Sequence, residues 1–384
     1  MSARGFYTLF FGALMLVTSL SVGSQGAFLL GAAALLALAL ALISVLFSFF
    51  TCRISQQMQP GRVSRGERGV YTLTVRLFTP LPIAPLALQI QMPSGRQGEF
   101  MLPVRLFGST VSENTFPCPH VGVFSVGAAR VTLSDCFGMF SLARRVRVAP
   151  LPLTVLPVPS ETEPVRCSPG EGESTAAQRA QADRTTPEDT RLWQEGDDMR
   201  RIHWKLSMRR QELMVRTYET PQRPDALILL DCSAPDAPGA QRSHMIDALT
   251  EACAGVVKSL LDEQRIVCLP LMGDAPRELR GQNPDVLAAM LEALAQERFS
   301  HQDDFTRALL LASRRMHRTG SAVILSSRLT PPIADAAIAL SRMGPCIRFT
   351  LVASAAPSAG QEKLLALLRL SGVETDVIPC GNQR

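Results

Sequence analysis

Ala226-Leu-Ile-Leu-Leu-Asp231-Cys-Ser233 is the stretch whose reading decides the fold. Five consecutive apolar residues without a polar alternation predict a strand buried on both faces, and such strands belong to parallel sheets covered by helices on either side. The sequence downstream supplies the covers. Helices are expected over residues 243–261, 284–297, 304–316, 333–343 and 361–370, with strands over 266–272, 322–326, 347–353 and 373–378. Alternation of that kind predicts an α/β domain with a doubly wound, mainly parallel sheet.

Ligands of such sheets sit beyond the carboxyl ends of the strands, so Asp231 and Ser233 mark the edge to inspect. A carboxylate and a hydroxyl two residues apart can both face one hard cation. The pattern resembles the start of the metal-ion-dependent adhesion site of a von Willebrand factor A domain, and two departures weaken it. Pro235 stands where that motif has its second serine, and the strand over 322–326 ends in Ser326-Ser327 rather than an aspartate. Thr306, after Asp303-Asp304, is a further oxygen donor. Magnesium prefers near-octahedral oxygen ligation, so Asp231 and Ser233 make a degenerate metal site, and weak Mg2+ binding is the most to expect.

Upstream lies a segment dense in acids, bases and indoles: Arg191-Leu-Trp-Gln-Glu-Gly-Asp-Asp-Met-Arg-Arg-Ile-His-Trp-Lys-Leu-Ser-Met-Arg-Arg210. Gly196-Asp197 reads as a bend. Asp197 or Asp198 can pair with Arg191, Arg200 or Arg201. Trp204, between His203 and Lys205, fits a strand with its indole inside and its neighbours outside. His203 has the unperturbed pKa range of a proton shuttle but no visible nucleophile beside it. The arginines suit a bidentate grip on carboxylates, within the chain or on a partner.

This pattern, R-x-[YW]-x-x-G-D-x-x-R-x-I-H-W-K followed by Leu213-Met214-Val215, resembles the signature of the bacterial family known as domain of unknown function 58. The stretch from His120 to Gly127 through Asp135-Cys-Phe-Gly-Met-Phe140 is similar to the region that precedes the signature in that family. The resemblance implies a C-terminal region similar to a von Willebrand factor A domain. It also implies a MoxR-type AAA+ ATPase as partner, hence an adaptor role in an envelope-linked chaperone or assembly system. The interaction residues it points to are Arg191, Gly196, Asp197, Arg200, Arg201, His203, Trp204 and Lys205.

The N-terminal part has a different grain. Residues 6–22 and 27–50 are almost purely apolar and uncharged, each about long enough to cross roughly 30 Å of hydrocarbon as a helix. Residues 1–57 therefore read as a transmembrane hairpin turning at Gly23-Ser-Gln-Gly26. Arg4 precedes it, Arg53, Arg62, Arg65 and Arg68 follow it, and the turn has no charge, which predicts both ends on the cytoplasmic side of a bacterial inner membrane. A cleaved signal peptide is the competing reading. Residues 58–158 read as a small β-sandwich with strands over 70–78, 86–92, 100–107, 122–126, 129–133 and 153–156. Residues 159–187 read as a linker, and 188–384 as the signature and the α/β domain.

Composition narrows the function classes. The nine cysteines contain no C-x-x-C pair, which argues against a disulfide scaffold or a zinc site. A net charge of +5, with acids and bases interspersed, argues against nucleic-acid binding, the weakest of the alternatives. The chain has no G-x-x-x-x-G-K-[ST], H-E-x-x-H or G-x-S-x-G motif, so no enzyme is expected. A metal-assisted hydrolase using Asp231 is the principal alternative to an adaptor.

Overall fold

Ser2 and Ser24 start two helices by accepting the backbone N–H groups of Gly5 and Ala27, the usual role of serine at an N-cap. In the computed structural model these are α1 (Ala3–Val22) and α2 (Gln25–Thr51), joined through Gly23 at φ 69°, a left-handed conformation that glycine adopts without strain. The structure describes residues 2–79, 82–93, 97–105, 107–161, 189–193, 202–217, 225–272, 276–299 and 305–380. The expected linker, 159–187, lies outside the described residues except for its first three positions, and Gly196, Asp197, Arg200, Arg201, Asp303 and Asp304 lie outside them altogether. The chain forms two units, Met1–Leu156 and Pro157–Arg384.

Both helices are long and apolar enough to cross a membrane. They pack closely because both present glycine. A Cβ on Gly31 would lie 3.0 Å from the Gly12 carbonyl oxygen and 3.1 Å from the Leu16 backbone nitrogen, so small residues set the helix spacing, as in membrane helix pairs. Each free end of the hairpin is tied to the β-domain of the same unit. Ser2 donates its backbone N–H to the Met139 carbonyl at 2.8 Å, and Thr51 Oγ1 donates to the Phe78 carbonyl at 2.8 Å.

A single residue, Cys52, separates α2 from the first strand. The strands are β1 (Arg53–Met58), β2 (Arg62–Ser64), β3 (Arg68–Phe78), β4 (Leu86–Gln91), β5 (Gln97–Leu102), β6 (Phe107–Pro117), β7 (Gly122–Ser134), β8 (Ser141–Arg145) and β9 (Leu151–Leu156). They form a sheet in the order β1-β3-β6 and a second in the order β2-β9-β7-β4-β5, with β8 on β7. Tyr71, Leu73, Val75 and Leu77 alternate inward along β3 and share one core with Leu88, Ile90, Val131, Leu133 and Leu153 of the other sheet. That is a sandwich. Two sequence expectations change here. The strand expected over 100–107 divides into the end of β5 and the start of β6, and the two strands expected over 122–126 and 129–133 are one. β6 has few apolar residues to betray it, and its register is fixed by pairing with β3 along its whole length, from Arg68↔Pro117 to Phe78↔Phe107.

The second unit begins with β10 (Asp189–Leu192) and β11 (Met214–Thr217), an antiparallel pair with helix α3 (Trp204–Arg210) between them in sequence. There follow β12 (Asp225–Leu230), α4 (Gly239–Asp262), β13 (Val267–Leu271), β14 (Arg277–Gly281), α5 (Asp285–Gln296) and α6 (Phe305–Ala312). A 3-10 turn (Ser313–Arg318) leads to β15 (Thr319–Ser326), α7 (Pro331–Ser341), β16 (Cys346–Ala353), α8 (Ala359–Leu370) and β17 (Glu374–Pro379). The sheet order is β14-β13-β12-β15-β16-β17, all parallel except β14, which is the 3-2-1-4-5-6 order of a doubly wound sheet.

Ile228, Leu230 and Leu269 pack on one face with Leu249 and Val256 of α4 and Leu294 of α5. Leu227, Leu229, Ile324 and Phe349 pack on the other with α6, α7 and α8. The fully apolar β12 is thus covered on both faces, as its sequence implies. β14 was not anticipated, because Arg277-Glu-Leu-Arg-Gly281 is polar, the composition that protects an exposed sheet edge. The fold class is α/β plus all-β, as the sequence indicates.

Candidate functional site

The strand order reverses between β12 and β15, so their carboxyl ends diverge into helices on opposite faces and leave a crevice. Leu230 pairs with Leu325, and the next residues out, Asp231 and Ser326, meet across this switch point. Asp231 is fully buried, as are Ser233 and Ser326. A carboxylate so placed must be satisfied by donors, and it is. Oδ1 accepts the Ser233 backbone N–H at 3.0 Å and the Ser233 hydroxyl. Oδ2 accepts the Ser326 hydroxyl at 2.6 Å and the Arg328 Nε at 3.5 Å.

Arg328 also donates through its terminal nitrogen to Ser233 Oγ, while its backbone N–H is held by Ser326 Oγ at 3.1 Å. The guanidinium thus lies where a cation bound by Asp231 and Ser233 would lie. Its side chain is 39% exposed, and of its five N–H donors two are used inward, which leaves others for an acceptor on another molecule. The residues present do not fit a divalent metal. The carboxylate and both hydroxyls are already committed, and a positive charge occupies the position. Thr306 lies in the first turn of α6, and none of the hydrogen bonds on Asp231 comes from it. Arg328 escaped the sequence reading. The signal was available in Ser326-Ser-Arg328, a cation just past the strand end where the adhesion motif would place an acid.

The signature segment builds a second surface. His203 caps α3, its Nδ1 accepting the Leu206 N–H at 3.3 Å, and its own N–H bonds to the Met214 carbonyl at 2.8 Å. Buried Ser207 locks the helix to β11 by accepting the Met214 N–H at 2.9 Å. Sequence alternation placed Trp204 in a strand with its indole inside. It is instead the first residue of α3 and 61% exposed, because the inward positions follow the helical spacing from His203 to Ser207. With Met208 at 81% and Leu213 at 45% exposure it forms an apolar surface, flanked by exposed Lys205, Arg209 and Arg210. Arg191 is placed in β10 opposite Val215 by its backbone. The structure thus brings His203, Trp204 and Lys205 together on one short helix, apart from the Asp231 cluster in sequence and in role.

Residues 189–364 match the family described as "Protein of unknown function DUF58". The match covers a little under half of the chain. The matched stretch contains both the helix α3 and the Asp231 switch point. Among solved structures, the chain is similar to the VWA domain of SpRpn10, at 14% identity and TM-score 0.29, over 42% of this chain and 90% of that one. It is also similar to the CARDB domain of the PF1109 protein of Pyrococcus furiosus, described in complex with di-metal ions, at 11% identity and TM-score 0.20, over 28% of this chain and 90% of that one. The search of curated proteins found no match.

Proposed function

We propose that this chain is a membrane-anchored adaptor, held by the α1–α2 hairpin with both ends on the cytoplasmic side of a bacterial inner membrane, whose DUF58 region docks a protein partner. The observation that carries this reading is the surface of α3. Tryptophan, methionine and arginine are the side chains enriched in protein interfaces, and here Trp204, Met208, Arg209 and Arg210 are all exposed on one seven-residue helix. Exposing two large apolar side chains on so small an element costs solubility unless something covers them. The partner, taken from the family resemblance, is a MoxR-type AAA+ ATPase, which would supply the nucleotide-driven work.

Co-purification of the full chain with such an ATPase tests the reading. Trp204→Ala with Met208→Ala should abolish capture while leaving the melting temperature within a degree or two. Capture that survives the double substitution refutes docking through α3. Reporter fusions at Arg4 and Arg384 should both behave as cytoplasmic, and a periplasmic signal at either refutes the topology.

A further inference from the structure

The end of the second apolar helix carries chemistry that partner docking does not use. α1 has 20 residues and α2 has 27, so, paired from their short link, α1 runs out at about the level of Ser44. At about 1.5 Å per residue, positions 45–51 of α2 continue for about 10 Å beyond it. A hydrocarbon core is about 30 Å thick and is flanked by headgroup layers of several Å. With α1 spanning the core, the last two turns of α2 stand at headgroup depth.

There the first unit opens a cavity of about 740 Å³, lined by Phe49, Phe50 and Arg53 from the helix end and by Arg144, Arg145 and Arg147 from β8 and the residues after it. Arg144 is structural: it donates to the Phe49 carbonyl at 2.9 Å and to the Cys52 carbonyl, and lies over the Phe49 ring. It thereby caps the carboxyl end of α2. Arg53, Arg145 and Arg147 are exposed and form no ion pair among the described residues. The sheets even place like charges directly opposite one another, Arg53 across from Arg76 and Arg130 across from Arg145, an arrangement that destabilises a sheet. Asp135, in the turn between β7 and β8, is buried and committed to the Phe137 and Phe140 N–H groups. Beside the same helix end, Phe47, Phe78 and Phe107 form a ring-to-ring chain, and Phe78 and Phe107 are 58% and 59% exposed. Exposed phenylalanines at the level where acyl chains meet headgroups have apolar surface to bury in the acyl boundary.

We propose that this cavity binds the phosphate headgroup of an anionic phospholipid, with Arg53, Arg145 and Arg147 around the phosphate and Phe50, Phe78 and Phe107 in the acyl boundary. The proposal rests on the hairpin crossing a membrane. Unbalanced guanidinium groups, a cavity and an apolar rim meet here at one depth, and anionic headgroups offer the complementary charge.

Native mass spectrometry of the full chain in detergent tests it, with phosphatidylglycerol, phosphatidylcholine and inorganic phosphate titrated separately. Phosphatidylglycerol should bind at least tenfold more tightly than phosphatidylcholine, and inorganic phosphate should not displace it. Each arginine near a headgroup contributes about fivefold in affinity, so Arg53→Gln, Arg145→Gln and Arg147→Gln together should weaken phosphatidylglycerol on the order of a hundredfold, while Arg145→Lys with Arg147→Lys retains most of it. Equal binding of the two lipids by the unaltered chain overturns the proposal without recourse to any variant. So does full displacement by phosphate, which marks a free-anion site, or a triple variant that binds as the parent does. Cell fractionation separates the two readings: a chain found in the soluble fraction refutes the membrane anchor, whereas a membrane-bound chain indifferent to headgroup charge refutes only the lipid site.

Discussion

Replacing Arg328 with alanine removes the positive charge from a fully buried carboxylate and so tests whether an arginine has taken the place of a metal. At 3.5 Å and an effective dielectric constant of about 20, the gross attraction between Arg328 and Asp231 is about 5 kcal/mol. Most of this is offset by solvent screening, since the arginine side chain is 39% exposed, and by the entropy lost in holding it. Asp231 keeps its bonds to the Ser233 N–H, the Ser233 hydroxyl and the Ser326 hydroxyl, so the net loss should be about 2 kcal/mol. For a domain of this size that is roughly 4 to 8 °C in melting temperature. The assay is the thermal melt of the full chain in detergent, with chelator and with millimolar Mg2+. The parent should be indifferent to Mg2+, whereas Arg328→Ala should recover part of its loss, because the vacated position then offers a carboxylate and two hydroxyls to a cation. A parent stabilised by Mg2+, or an Arg328→Ala chain that melts as the parent does, refutes the substitution of metal by guanidinium.

Other perturbations have equally definite outcomes. His203→Ala removes the N-cap of α3 and should cost about 1 kcal/mol in a chemical-denaturation curve, whereas Trp204→Ala, at an exposed position, should cost less than about 0.5 kcal/mol. Burial pushes the Tyr71 phenol up to about 12, so its contribution, about 2 to 3 kcal/mol, is complete below pH 10 and is lost as pH rises through 12; in tyrosinate absorbance titrations a late-ionising component should vanish in Tyr71→Phe. Gly31→Leu forces a side chain against the backbone of α1 and should separate the hairpin, read as loss of the folded chain from detergent extracts, while Gly61→Ala, which meets nothing within 4 Å, should be silent.

The doubly wound sheet was legible because its two central strands hold continuous apolar runs, 226–230 and 322–325, which admit few other placements. The sandwich was legible only in part. β3 alternates and declared itself, whereas β6 exposes most of its side chains and owes its conformation to eleven paired positions on β3, a tertiary cause that no local pattern carries. The site divides similarly. Asp231 and Ser233 could be placed from the end of a strand, but Arg328 is 97 residues from Asp231 in sequence, and only the parallel register of β12 on β15 brings them together. Trp204 was misplaced because a few alternating residues fit a strand or a single helical turn about equally well, and the deciding bonds come from Met214 on another element.

The passage from α2 into β1 through Cys52 alone has a mechanical consequence. A joint of one residue, clamped by Arg144 on the carbonyls of Phe49 and Cys52, has no slack to absorb rotation. Ser2 fastens the opposite end of the hairpin to the turn after β7, so helices and sandwich turn as one lever. In a bilayer whose thickness changes, the helices tilt to match it, and the sandwich swings with them. Membrane thickness would then be read out as the angle of a β-sheet.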